Sequence, residues 1–208
     1  MTGAERAPGG AGDQAAGAAA PPVSAAAAPP DSADAAPLAR RIYERSHLTG
    51  SFKLRSGSVS SEYFDKYLFE ADPLMLREIA GAMVAMIPDG VQALAGLELG
   101  GVPLATAASQ LSGVPALFVR KEAKRYGTCR LAEGGEVAGR RLAVFEDVIT
   151  SGGQVIASCG QLRELGAEIV AVLCVIDREA GGAESLAVEG LPLRALFTMS
   201  QLKAAAAE

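Results

Sequence analysis

The chain has 208 residues, half of them apolar, and a formal net charge of −5, which suits one domain with its own core. Three of those negative charges lie in the first 36 residues (Glu5, Asp13, Asp31 and Asp34 against Arg6), so the remainder is near neutral and no nucleic-acid footprint is expected. No stretch approaches a membrane span, and Cys129, Cys159 and Cys174, an odd number with no close pair, indicate neither a disulfide framework nor a zinc motif.

Residues 1–36 contain 15 Ala, 5 Gly and 5 Pro, with Val23 and Met1 the only larger apolar side chains. Such a segment buries too little to offset the entropy of ordering it, so a disordered tail is expected, followed by one domain over 37–208. Pro21, Pro22, Pro29 and Pro30 interrupt any leader-like apolar run, and the expected location is cytoplasmic.

Pro37–Ser46 reads as a short helix with Leu38 and Ile42 on one side. Ser51–Leu54 follows as a candidate strand, closed by Arg55-Ser56-Gly57, and Tyr63–Phe69 is a second apolar, aromatic stretch. Asp72 and Pro73 take the N-cap and first helical positions of a helix to about Ile87. From there strands and helices alternate. Ala93–Leu97 is a buried strand, and Gly100-Gly101-Val102-Pro103 opens a helix through Leu111. Ala116–Val119 is a strand leading into a basic segment in which Arg120, Lys121, Lys124, Arg125 and Arg130 face only Glu122. Leu142–Phe145 is a strand, Gly153–Leu165 a helix stopped by Gly166, and Glu168–Ile176 an almost continuously apolar strand of the kind a covered parallel sheet requires. The alternation predicts an α/β fold with a mainly parallel sheet flanked by helices.

Leu142–Gly153 concentrates the chemistry. A strand ends in Glu146 and Asp147, and Thr150-Ser151-Gly152-Gly153 then turns into a helix. Glycine lets a backbone approach a phosphate, the helix start offers free N–H groups, and the hydroxyls add donors. A carboxylate repels phosphate but accepts two hydrogen bonds from a cis-diol, so acid pair and loop together fit a ribose 5-phosphate. The bland alternative, an exposed acid pair before an ordinary glycine turn, leaves the order of these residues unexplained.

Glu146-Asp147-Val148-Ile149-Thr150-Ser151-Gly152-Gly153 resembles the phosphoribosyl diphosphate (PRPP) signature of the type I phosphoribosyltransferases. The resemblance implies that Glu146 and Asp147 hold the ribose hydroxyls while residues Val148 to Gln154 wrap the 5-phosphate. Val119–Gly134 resembles the mobile catalytic loop of the orotate phosphoribosyltransferases. Phe52–Gly57 with Tyr63-Phe64-Asp65 resembles their N-terminal hood over the base, and Ile176–Glu179 the strand end whose arginine contacts orotate. The likeness runs from about residue 38 to 202. It implies that Lys124 and Asp147 are catalytic, that Arg120, Lys121, Lys124 and Tyr126 meet PRPP, and that Arg178, Thr150 and Arg55 meet orotate. It also implies Mg²⁺ carried in by PRPP and a homodimer.

Each assignment has a structural rival. A basic loop is commonly a solvated face. Arg178 can pair with Asp177 or Glu179, and Arg55 can cap a turn. His47 reads as structural. Gly96–Val102 lacks the lysine some members carry there, which leaves backbone N–H groups of Gly100 and Gly101 for the diphosphate, and Tyr126 stands where some have His. Another base, or a regulatory protein that senses PRPP, are the alternative functions; Arg178 and the hood oppose the first, and the absence of a basic face or added module opposes the second.

Overall fold

Alternating apolar residues separated by glycine turns form one six-stranded sheet with a helical layer on each face. The computed structural model describes residues 32–53, 57–122 and 130–208. In chain order the elements are α1 (Ser32–Ser46), β1 (His47–Lys53), β2 (Val59–Phe64), α2 (Tyr67–Glu70), α3 (Pro73–Val84), β3 (Ala93–Leu97), α4 (Gly101–Ser112), β4 (Ala116–Val119), β5 (Ala132–Glu133), β6 (Arg141–Ile149), α5 (Gly153–Glu164), β7 (Glu168–Asp177), α6 (Gly182–Val188), β8 (Leu193–Thr198) and α7 (Met199–Ala207). The large sheet runs β5-β4-β3-β6-β7-β8. All its pairs are parallel except β4–β5.

The period of two along each strand sorts side chains to opposite faces. In β6, Ala143 and Phe145 join Ile42 of α1, Ile79 of α3, Leu104 of α4 and Leu202 of α7. Leu142 and Val144 point the other way, onto Val155, Cys159 and Leu162 of α5 and Leu186 of α6. β1 and β2 stand apart as an antiparallel hairpin with a register shift between Thr49 and Phe52.

Several boundaries differ from the sequence reading. α1 begins at Ser32 rather than Pro37 and carries the proline inside it; the alanines before Pro37 are the best helix formers, so the edge expected at residue 36 falls within the helix. β1 begins at His47 rather than Ser51, drawn into pairing with Phe64 of β2. The aromatic stretch Tyr63–Phe69 divides between the end of β2 and α2. β6 runs four residues past Phe145, because Glu146, Val148 and Ile149 pair with Cys174, Ile176 and Asp177 of β7. The short β5 lies in the segment expected to be irregular. Arg55, Lys124, Tyr126 and Cys129 lie outside the described residues.

Candidate active site

β3 is the point where the chain reverses direction across the sheet. It pairs with β4 on one side and β6 on the other, so the loops leaving β3 and β6 part to opposite sides and open a crevice at the carboxyl edge, the place where open α/β sheets bind ligands. The β3 loop is pressed onto β6 with no room for side chains. A Cβ on Gly96 would stand 2.5 Å from the carbonyl oxygen of Gly101, and one on Gly101 would stand 2.0 Å from that of Phe145. A Cβ on Gly100 would lie 1.5 Å from Oδ2 of Asp147. These glycines therefore have a packing reason as well as the binding role expected for Gly100 and Gly101. The Glu98–Leu99 peptide between them and β3 is cis.

Across the crevice, Thr150 and Ser151 are exposed and Gly152 is buried. Gly152 caps α5 at φ +77° and lends it no side chain; the amide of Ile156 takes the Gly152 carbonyl at 2.9 Å. The earlier amides, Gly153 to Val155, are those a helix leaves without partners inside itself, and they form the positive end of its dipole. The loop is backed by α6: a Cβ on Gly182 would lie 2.6 Å from the Thr150 carbonyl oxygen. Gln154 is exposed, with its amide nitrogen 3.4 Å from the Ser158 hydroxyl.

The acid pair is more enclosed than a strand end suggests. Asp147 has no exposed surface and Glu146 is 9% exposed. Glu146 accepts the Asp147 amide at 3.0 Å. Lys66, from the turn between β2 and α2, places Nζ 2.6 Å from Oδ2 and 2.9 Å from Oδ1 of Asp147. Glu70 of α2 completes the cluster. Burial pushes the Glu70 carboxyl up to about 9, helped by a hydrogen bond to Asp147 and by that group's charge. Glu146 is likewise raised, by burial and then by Asp147. Burial also opposes the Asp147 charge, but hydrogen bonds from Glu146, Lys66 and Glu70 outweigh it and lower the group below its ordinary value. Lys66 answers in kind: burial works against its charge, and the hydrogen bond and charge of Asp147 overcome it and raise the ammonium. Of the three carboxyls, Asp147 is thus the one whose charge its surroundings favour.

Sequence reasoning missed Lys66 and Glu70. The one local sign was an acid, Glu70, closing the apolar run Tyr67-Leu68-Phe69, where a buried charge demands a partner.

Arg178 stands at the carboxyl end of β7, its amide donating to the Ile149 carbonyl at 2.9 Å. The rival carboxylates are occupied elsewhere. Asp177 accepts the Glu179 amide at 2.9 Å, and Glu179 accepts the Ser200 amide at 2.8 Å; the Ser200 side chain and then this amide hold Glu179 below its usual value. The exposed Arg178 guanidinium has no ion pair or hydrogen bond among the described residues. With Tyr63 and Phe64 of the hairpin it lines a cavity of about 190 Å³. The hairpin itself is braced by stacking of Phe52 on Tyr63, centroids 5.5 Å apart. His47 stacks on Tyr43 at 4.8 Å and lies 3.5 Å from Glu62, in keeping with a structural part. At the end of β4, Arg120 Nε is 3.7 Å from Glu133, and the Lys121 amide donates to Glu98 of the β3 loop at 3.0 Å. The expected PRPP and orotate residues among the described ones therefore share the carboxyl edge.

The phosphoribosyl transferase domain family matches residues 69–191, a span that takes in both crevice loops and Arg178. The orotate phosphoribosyltransferase of Nocardioides sp. is 55% identical over 168 residues, 81% of this chain and 94% of that protein. A crystal structure of Mycobacterium tuberculosis orotate phosphoribosyltransferase with Fe(III) dicitrate superposes with a TM-score of 0.72 at 34% identity, covering 81% of this chain and 98% of that one. The same enzyme in complex with PRPP superposes with a TM-score of 0.67 at 29% identity, covering 82% and 99%. Identity above one half through nearly the full length of a relative, on a fold shared over about four fifths of this chain, settles the family: the chain belongs to the orotate phosphoribosyltransferases.

Proposed function

We infer that this protein transfers the phosphoribosyl group of PRPP to orotate, giving orotidine 5′-monophosphate and pyrophosphate, a step of pyrimidine nucleotide synthesis. The observation that carries this reading is the juxtaposition, along one sheet edge, of a buried acid pair, a glycine-bounded helix start and an arginine without a partner among the described residues. The α5 amides and the Thr150 and Ser151 hydroxyls suit the 5-phosphate, with the backbone of Val148 and Ile149 leading into them and Gln154 beside them. Glu146 and Asp147 suit the ribose hydroxyls. Asp147, held ionised by its neighbours, also stabilises positive charge that develops at the anomeric carbon as the bond to pyrophosphate breaks.

The departing pyrophosphate is polyanionic, so Arg120, Lys121 and, by family resemblance, Lys124 and Tyr126 serve as its preorganised partners. Orotate presents a carboxylate, for which the Arg178 guanidinium offers a two-pronged match; Thr150 and Arg55 are its further expected contacts. The orotate ring nitrogen attacks the anomeric carbon on the face opposite the leaving group. Mg²⁺ would arrive on PRPP, held by substrate oxygens and water. There it would supply charge neutralisation at the diphosphate. The reading carries with it a homodimer and a cytoplasmic location.

Purified protein supplied with PRPP, Mg²⁺ and each of orotate, uracil, adenine and guanine in turn tests it by pyrophosphate release. Orotate alone is expected to support turnover. Equal or better use of another base overturns the assignment.

A further inference from the structure

Asp147 cannot receive a ribose diol in the arrangement described above. Both its oxygens face the Lys66 ammonium, at 2.6 and 2.9 Å, and the residue shows no surface. One partner must yield, and the packing says which. Asp147 is clamped, with Gly100 so close that even a methyl group there would overlap Oδ2 and with Glu146 on its amide. Lys66 is one third exposed along its side chain and has a flexible four-carbon stem. Its backbone, by contrast, is anchored. The Asp65 amide donates to the Ser46 carbonyl at 2.8 Å, and the Tyr67 amide donates to the Asp65 carboxylate at 3.1 Å. A displaced ammonium therefore swings but does not leave.

The place it swings over is the β3 loop. Glu98, Leu99, Gly100 and Gly101 bring no cation to that side of the crevice, and Lys66 Nζ and the α-carbon of Gly100 flank the same carboxylate oxygen. In PRPP the diphosphate is attached one carbon from the 2-hydroxyl, so a ligand whose diol occupies Asp147 carries its diphosphate within the sweep of this lysine.

Resting on the reaction inferred above, we propose that Lys66 is a diphosphate-binding residue that neutralises Asp147 until PRPP arrives, then exchanges that carboxylate for the diphosphate oxygens as the ribose hydroxyls take its place. The exchange leaves Asp147 with a partner at both stages, the ammonium before and the ribose hydroxyls after, as a buried carboxylate requires.

A counterion that changes partners has a signature that a merely structural lysine lacks. Titration calorimetry on the full chain, with PRPP and ribose 5-phosphate as separate probes, compares wild type with Lys66→Met, Lys66→Gln and Lys66→Arg. In the Met and Gln variants PRPP binds roughly 10- to 100-fold more weakly, the scale of one hydrogen bond to a charged group. Ribose 5-phosphate, which has the diol but no diphosphate, binds as well or better, because it no longer displaces an ammonium. Lys66→Arg retains most of the PRPP affinity. Ribose 5-phosphate weakened in parallel with PRPP, or PRPP affinity left unchanged, overturns the proposal. Should Lys66→Met not fold, Lys66→Gln, which can still hydrogen-bond Asp147, carries the same comparison. Turnover of orotate by the wild type is measured alongside, so an error in the assigned reaction shows there and not at position 66.

Discussion

In the proposed reaction the crevice between β3 and β6 and the hairpin beside Arg178 serve one site, yet they are built on opposite principles. In the crevice, backbone lies against backbone. Gly96, Gly100 and Gly101 have no space for a methyl group, Asp147 is enclosed, and its position follows from the central strands of the sheet. The hairpin is a two-stranded sheet, marginal on its own, with Val59 and Tyr63 exposed and Tyr43 and Phe64 as its aromatic footing on the core. The difference follows the chemistry. Charge that develops at the ribose is stabilised by groups fixed beforehand, whereas a planar base has to enter and its product has to leave, which suits exposed side chains such as Arg178.

The largest test of this contrast substitutes glycines. Gly101→Ala drives a Cβ to 2.0 Å from the Phe145 carbonyl in a central strand, and neither backbone has anywhere to go. A loss of about 3 kcal/mol or more is expected, seen as a large fall in melting temperature or as insoluble protein. Gly153→Ala meets nothing within 4 Å and should change stability by about 1 kcal/mol at most. It should nonetheless weaken PRPP, because it adds a side chain to the loop expected to wrap the 5-phosphate. Similar melting temperatures for the two variants would break the contrast.

Stability should depend on pH through the crevice. Glu70 has a folded value of about 9 against an ordinary 4.5. A raised acid favours the folded state fully below 4.5, and that contribution is lost as pH climbs to about 9. Glu70→Gln keeps the shape and hydrogen-bonding capacity while removing the titration. Urea unfolding at pH 5 and pH 8 should therefore show the variant gaining on wild type as pH rises, by up to about 1.4 kcal/mol per unit. A constant difference at both pH values would mean that Glu70 is not held protonated.

On the hairpin side the effect is smaller and falls on one substrate. Arg178→Ala should weaken orotate roughly 10- to 100-fold, the scale of losing charge-assisted hydrogen bonds to a carboxylate. PRPP affinity should barely move, and the melting temperature should hold, since the guanidinium has no partner among the described residues. Parallel weakening of both substrates, read from their separate KM values, would join the two regions that the structure keeps distinct.

What the sequence disclosed follows the range of the forces involved. β3 and β4 have the bounds their apolar runs predict, and Asp72 caps α3 by accepting the Leu74 and Met75 amides at 3.0 Å; these are short-range signals. The extension of β6 through Ile149 depends on β7 and was invisible locally. α6, β8 and α7 went unassigned, although Thr198 and Gln201 form a capping box whose spacing is a recognised helix start. The acid pair, the glycine loop and Arg178 were legible as motifs. The Lys66–Asp147 pair was not, because it joins positions 81 apart and leaves no mark near either.

The smallest effect is expected from the tail, which we propose belongs to neither region. Residues 1–31 contain no aromatic, and Val23 and Met1 are their only larger apolar side chains. α1 anchors itself later, through Leu38, Ala39 and Ile42, all buried. Deleting 1–31 leaves α1 whole and should leave melting temperature, kcat and both KM values unchanged. Deleting 1–36 removes the first turn of α1 but starts the chain at Pro37, which a first helical position tolerates because its missing N–H has no partner there. The cost should stay below about 1 kcal/mol. Because α1 runs directly into β1, any loosening should appear first as a raised KM for orotate, on the hairpin side, with PRPP unaffected. A marked loss of stability on removing 1–31 alone would mean that the tail packs against the folded domain.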